Sequence, residues 1–142
     1  MDKLYAETEF TVQFYDVDSM NVVWHGNYIK FFEIARCVLL DKIGYGYNEM
    51  KESGYAFPVI EIYAKYIRPV MFKQKIIAKA VLAEYENRLK ILYELRDLDS
   101  GVITTKGSSI QMAYNIEKRI SCFECPKFFI DKVENMLRGG EL

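Results

Sequence analysis

At 142 residues the chain has the length of one domain, and a 51% hydrophobic content rich in tyrosine and phenylalanine excludes a disordered or low-complexity polymer. A net charge of −1, from 19 basic and 20 acidic side chains, leaves no long basic stripe; wholesale nucleic-acid binding is excluded and any anion site must be local. No stretch has the apolar length of a signal peptide core or a bilayer span, so no membrane insertion and a cytoplasmic location are expected.

Residues 7–15 alternate, with Phe10, Val12 and Phe14 on one face and Glu9, Thr11 and Gln13 on the other, which predicts a half-buried strand. From about residue 27 to 43 the period changes. Tyr28, Phe31, Phe32, Ala35, Val38, Leu39, Lys42 and Ile43 follow the spacing of one helical face, and Gly44 supplies a stop. The width of that stripe predicts a helix largely enclosed by the rest of the fold. Tyr45 to Gly54 reads as a short helical or irregular connection. Strands follow at 56–68, 75–85, 88–97 and 102–116, the first bounded by Pro58 and Pro69, the second and third joined at Glu86-Asn87. Pro126 suits the first turn of a terminal helix over 127–137. The order is strand, long helix, then four strands in hairpin-like succession, an α+β pattern in which one antiparallel sheet curls around an apolar helix. Val59, Ile60 and Ile62 with Tyr63, and Ile76 and Leu82 with Ile77 and Val81, place apolar groups on both strand faces, which predicts a homodimer rather than bare solvent.

The chemistry-bearing residues concentrate between the first strand and the helix. Asp18 and the only histidine, His25, fall there, beside the free backbone donors of a helix start. A carboxylate, an imidazole and such N–H groups together can activate water and polarise a carbonyl. Asp16 reads as a brace for the same loop. Cys122-Phe123-Glu124-Cys125 has the spacing of a zinc or redox pair, but no second pair completes a zinc site, so ordinary thiols and no metal are expected; with Cys37 they agree with a reducing compartment.

The segments Tyr15-Asp16-Val17-Asp18, Val22-Val23-Trp24-His25-Gly26-Asn27-Tyr28 and Phe31-Phe32-Glu33-Ile34-Ala35-Arg36, with the later Tyr66-Ile67-Arg68-Pro69, resemble the signature of hotdog-fold acyl-CoA thioesterases. The subgroup is that of 4-hydroxybenzoyl-CoA thioesterase and the Tol–Pal-associated thioesterases. The similarity runs from about residue 8 to 117 and implies a single hotdog domain over 1–142: a long central helix wrapped by a five-stranded antiparallel sheet. It implies hydrolysis of acyl-CoA to a carboxylic acid and free CoA without a cofactor, Asp18 acting as nucleophile or as general base. His25 is implied to lie near the thioester, and the backbone around His25 and Gly26 to stabilise the oxyanion. Sites are implied at the interface of a dimer, or a dimer of dimers, with coenzyme phosphates on surface basic residues. Arg88 and Lys90, with Lys106, are the candidates for the phosphates, Asn27 and Tyr28 weaker contacts, and Glu61 a backup acid. Glu33 reads as solvated or bracing and Arg68 as structural. Tyr63, Tyr66 and Phe57 suit an acyl channel and a core or dimer interface equally. Relatives often have glycine after the aspartate, where this chain has Ser19-Met20-Asn21; asparagine tolerates a left-handed turn, so the loop is expected to survive. Two other readings stay open: hydrolysis of acyl carrier protein thioesters, and a non-hydrolytic dimer that binds acyl thioesters.

Overall fold

The computed structural model describes residues 4–139. Strand β1, Tyr5–Thr11, leads through two single-turn 3-10 helices, Phe14–Asp16 and His25–Asn27, into α1, Tyr28–Ile43. Helix α2, Tyr47–Glu52, and the two-residue strand β2, Tyr55–Ala56, precede β3, Val59–Tyr66. Strands β4, Lys75–Glu84, β5, Leu89–Asp97, and β6, Ile103–Gln111, follow. Two short strands, β7, Tyr114–Asn115, and β8, Ile120–Ser121, lead to α3, Lys127–Leu137. The five long strands form an antiparallel sheet in the order β1-β4-β5-β6-β3, while β2, β7 and β8 form a small second sheet.

Helix α1 lies across the inner face of the large sheet because its apolar stripe demands it. Tyr28, Phe31, Phe32, Ala35, Leu39, Leu40 and Ile43 are buried, and Gly44, at φ 86°, ends the helix in the left-handed conformation that a side chain would resist. The helix and the sheet approach closely at Gly107 of β6. A Cβ there would lie 2.5 Å from both the Phe32 ring and the Tyr63 carbonyl, so glycine lets Phe32 stack on Tyr93 at 4.6 Å. Helix α3, capped by Pro126, packs on α1, and its Phe129 joins Tyr45 and Phe57.

Four sequence expectations change. The first strand ends at Thr11, and Phe14 stands in a 3-10 turn, 75% exposed, edge-on to Phe72. The strand expected over 56–68 splits at Phe57-Pro58 into β2 and β3, and the one expected over 102–116 splits at Met112-Ala113 into β6 and β7. Hairpin succession holds for β4-β5-β6 only; β3 pairs with β6 and forms a sheet edge. Along β3, Val59, Ile60, Ile62, Tyr63 and Tyr66 are exposed.

Candidate active site

The loop between β1 and α1 is a compact structure held by its own backbone. Asp18 N–H donates to Val22 O at 2.9 Å, Asn21 N–H donates to Asp18 O at 3.0 Å, and Val17 bridges Val23. The turn needs a left-handed residue, and Asn21 supplies it at φ 62°. The Asp18 side chain is exposed, with Oδ1 accepting the Met20 N–H at 2.8 Å. That bond pins one carboxylate oxygen to the turn and leaves the second oxygen for other work.

Asp16 holds the loop to the helix. It is 2% exposed; its carboxylate accepts the Gln13 N–H at 2.9 Å and pairs with Lys30 of α1. Its carbonyl accepts the Trp24 N–H at 3.1 Å and the Asn27 side-chain amide at 2.8 Å. The result is a fixed entry into the 3-10 turn His25–Asn27, which runs directly into α1. Asn27 N–H donates to Trp24 O, whereas the His25 and Gly26 N–H groups enter no such bond among the described residues, as the first turn of a helix requires. They carry the positive end of the helix dipole.

Asp18, His25 and Tyr28 line one cleft of about 340 Å³ together with Trp24, Tyr66 and Arg68. The Tyr66 hydroxyl donates to His25 O at 3.2 Å, and the Tyr28 hydroxyl accepts the Val70 N–H at 3.3 Å. Burial pushes the Tyr28 phenol above its ordinary value against the opposing pull of that N–H, so it keeps its proton. Gly26 admits the Trp24 indole, since a Cβ would stand 2.0 Å from the ring. Chemically, the cleft offers a carboxylate, an imidazole, a protonated phenol and a guanidinium, with the free His25 N–H at its wall.

The other sequence candidates are placed elsewhere. The Asn27 side chain is engaged with Asp16 rather than directed to a ligand. Glu61 lies on β3 towards the end opposite Tyr66, about 16 Å away by strand rise. Arg88 and Lys90 flank the β4–β5 turn at that same far end, aligned through Ile110 with Glu61. Arg88 forks onto Glu84 at 3.0 and 3.1 Å, which holds the Glu84 carboxyl below its usual range. Trp24 and Arg68 were not singled out for the site; the sequence signs were Trp24's place beside His25 and the Arg68-Pro69 strand end, whose position beside Asp18 depends on the crossing from β3 to β4. Burial, with Cys122 nearby, pushes the Cys125 thiol up to about 11. Among the described residues no group of three or more His, Cys, Asp or Glu is arranged to hold a metal ion, and no helix is long and apolar enough to cross a membrane.

Residues 12–134 match the model of the thioesterase-like superfamily. The chain belongs to that superfamily, and its helix-in-sheet architecture is the hotdog fold. It is 25% identical to a DHNA-CoA thioesterase from Staphylococcus aureus, with a TM-score of 0.81 over 97% of this chain and 96% of that one. A second Staphylococcus aureus protein, SAV2348, solved in complex with CoA, shares the fold with a TM-score of 0.85 at 18% identity, over 100% of this chain and 89% of that one. The candidate acyl-CoA thioesterase YneP of Bacillus subtilis is 27% identical over 88 residues, 62% of this chain and 63% of that protein. The chain spans less than two thirds of the length of the curated relatives it matches.

Proposed function

We propose that this chain hydrolyses acyl-CoA thioesters to a carboxylic acid and free CoA. The observation that carries the reading is the convergence of Asp18 and His25 on one cleft, with the uncommitted N–H groups of His25 and the adjoining Gly26 at the start of the turn that enters α1. Attack on a thioester carbonyl places negative charge on its oxygen, and a backbone donor aimed at that charge is worth roughly a hundredfold or more in rate. The Asp18 carboxylate either attacks the carbonyl carbon, giving an anhydride that water then opens, or takes a proton from the attacking water. The C–S bond breaks with the electron pair leaving on sulfur, and a thiolate leaves without a strong general acid. The His25 side chain orients water or substrate. Membership of the thioesterase-like superfamily supports the reaction class, and the names of the relatives support the CoA thioester.

The working unit in this proposal is a homodimer that pairs two copies of β3. An exposed edge strand bearing Val59, Ile60, Ile62, Tyr63 and Tyr66 favours such pairing over contact with water. Antiparallel pairing about a two-fold axis brings the Tyr66 end of one copy beside the Val59 end of the other. Arg88 and Lys90 of the second copy then approach the Asp18 cleft, which supports their role at the coenzyme phosphates despite their distance within one chain. Thiol release from short, medium, long and aromatic acyl-CoAs, followed with a thiol-reactive dye, tests the activity. Release from at least one is expected; no release from any CoA thioester overturns the reading and turns attention to carrier-protein thioesters and to binding without hydrolysis.

A further inference from the structure

The 3-10 turn His25–Asn27 is held from two directions. From its own loop, the Asp16 carbonyl accepts the Trp24 N–H at 3.1 Å and the Asn27 side-chain amide at 2.8 Å. From the large sheet comes a single bond: the hydroxyl of Tyr66, the last residue of β3, donates to His25 O at 3.2 Å. Among the described residues no other hydrogen bond joins this turn to a strand of that sheet. The loop bonds fix the flanks of the turn at Trp24 and Asn27. Tyr66 instead reaches the residue whose own N–H stands free at the cleft.

The donor is itself well fixed. Tyr66 pairs with Thr105 of β6, and the next two N–H groups, of Ile67 and Arg68, both donate to the carbonyl of buried Thr104 at 2.9 Å. The Tyr66 ring packs edge-on to Tyr28 with centroids 4.8 Å apart, and the Tyr28 hydroxyl accepts the Val70 N–H at 3.3 Å. His25 O also accepts the backbone N–H of Tyr28, the first residue of α1. Strand and helix therefore meet on one carbonyl. A carbonyl that receives two donors leaves its residue little freedom to swing, so the place of His25 is set by both elements together. At 50% exposure the Tyr66 ring adds little to the core, and phenylalanine would make the same contact with Tyr28. The hydroxyl is the part the geometry uses.

We infer that Tyr66 is a positioning residue for the proposed hydrolysis, its hydroxyl holding His25 so that the His25 N–H meets the thioester oxygen as negative charge develops there. The inference rests on the Asp18 cleft being the hydrolytic site. Tyr66 acts through His25 and takes no part in the bond-breaking step. A backbone donor stabilises an oxyanion only when it is in place before the charge appears, and a small displacement of it costs rate rather than affinity.

The test compares wild type with Tyr66→Phe, which keeps the ring and removes only the donor. On the best-cleaved acyl-CoA, kcat should fall roughly fivefold or more while KM stays within about twofold, the pattern of an interaction that matters in the transition state. NMR of the free protein gives the second readout. A donor on a carbonyl deshields the carbonyl carbon and the nitrogen of the following amide. The His25 carbonyl and Gly26 amide nitrogen signals should therefore both move upfield in Tyr66→Phe. The same spectra give the folded fraction, so kcat is referred to folded protein alone. Unchanged kcat overturns the inference, and unchanged kcat with a raised KM marks Tyr66 as a plain substrate contact instead. Unmoved His25 and Gly26 signals overturn it as well. The NMR arm needs no turnover. Shifted signals in a protein whose wild type cleaves no CoA thioester place the failure in the hydrolase reading, and the positioning role falls with it while the contact stands.

Discussion

Asn21, Gly26 and Asp16 each do a different job in holding Asp18 and His25 in one cleft. Asn21 takes the left-handed position of the turn, Gly26 leaves room for the Trp24 ring, and Asp16 ties the loop to Lys30 of α1. The Trp24 indole is 52% exposed, so a methyl at residue 26 displaces the ring outward more readily than it disrupts the core. Gly26→Ala is therefore expected to lower kcat/KM for a cleaved acyl-CoA by roughly fivefold or more through the altered cleft wall, with little change in Tm. A large fall in Tm with kcat/KM unchanged in the folded fraction would contradict that account. At Cys125, burial acts on chemistry rather than shape. With the thiol pushed up to about 11, only about one molecule in a thousand carries the thiolate at pH 8. Iodoacetamide at pH 8 should label exposed Cys37 well before Cys125, with Cys125 reacting after denaturation; mass spectrometry of timed samples checks the order. Of these residues, Asp18, His25 and the Asn21 turn were legible in the sequence because loop and cap chemistry is local. The place of Arg68 was not, because it depends on packing across distant segments.

Helix α1 and the sheet meet at Gly107, where a Cβ would have no room. Gly107→Ala should cost about 1–3 kcal/mol, because its Cβ meets both the Phe32 ring and the rigid Tyr63 carbonyl. Urea unfolding at fixed pH checks this; a loss below about 0.5 kcal/mol would show that the helix shifts freely on the sheet. The helix itself was readable from end to end, since Tyr28, Phe31, Phe32, Ala35, Leu39 and Ile43 form one buried face and Gly44 closes it. Phe14 misled because alternation continued past the true strand end at Thr11, where the chain turns and the ring packs on Phe72 instead. The partner of β3 was hidden for another reason. Strand identity is written in a strand's own residues, but the β3–β6 pairing joins segments about 40 residues apart and leaves no local mark.

At the scale of the whole molecule, the proposed dimer pairs a second copy along the exposed apolar edge of β3 and brings the far-placed Arg88 and Lys90 of one copy towards the Asp18 cleft of the other. Sedimentation at micromolar concentration should give a dimer or a multiple of it, and Ile60→Lys with Ile62→Lys should shift the protein to monomer and reduce turnover with it. A monomeric wild type that is fully active would remove the dimer from the account. The central claim is that the Asp18 cleft breaks a thioester, and the most direct measurement compares thiol release by wild type and Asp18→Asn on the best-cleaved acyl-CoA. The substitution keeps size and turn-forming capacity, so circular dichroism and Tm should match wild type while turnover falls roughly a hundredfold or more. Unchanged turnover in a correctly folded Asp18→Asn protein would contradict the account.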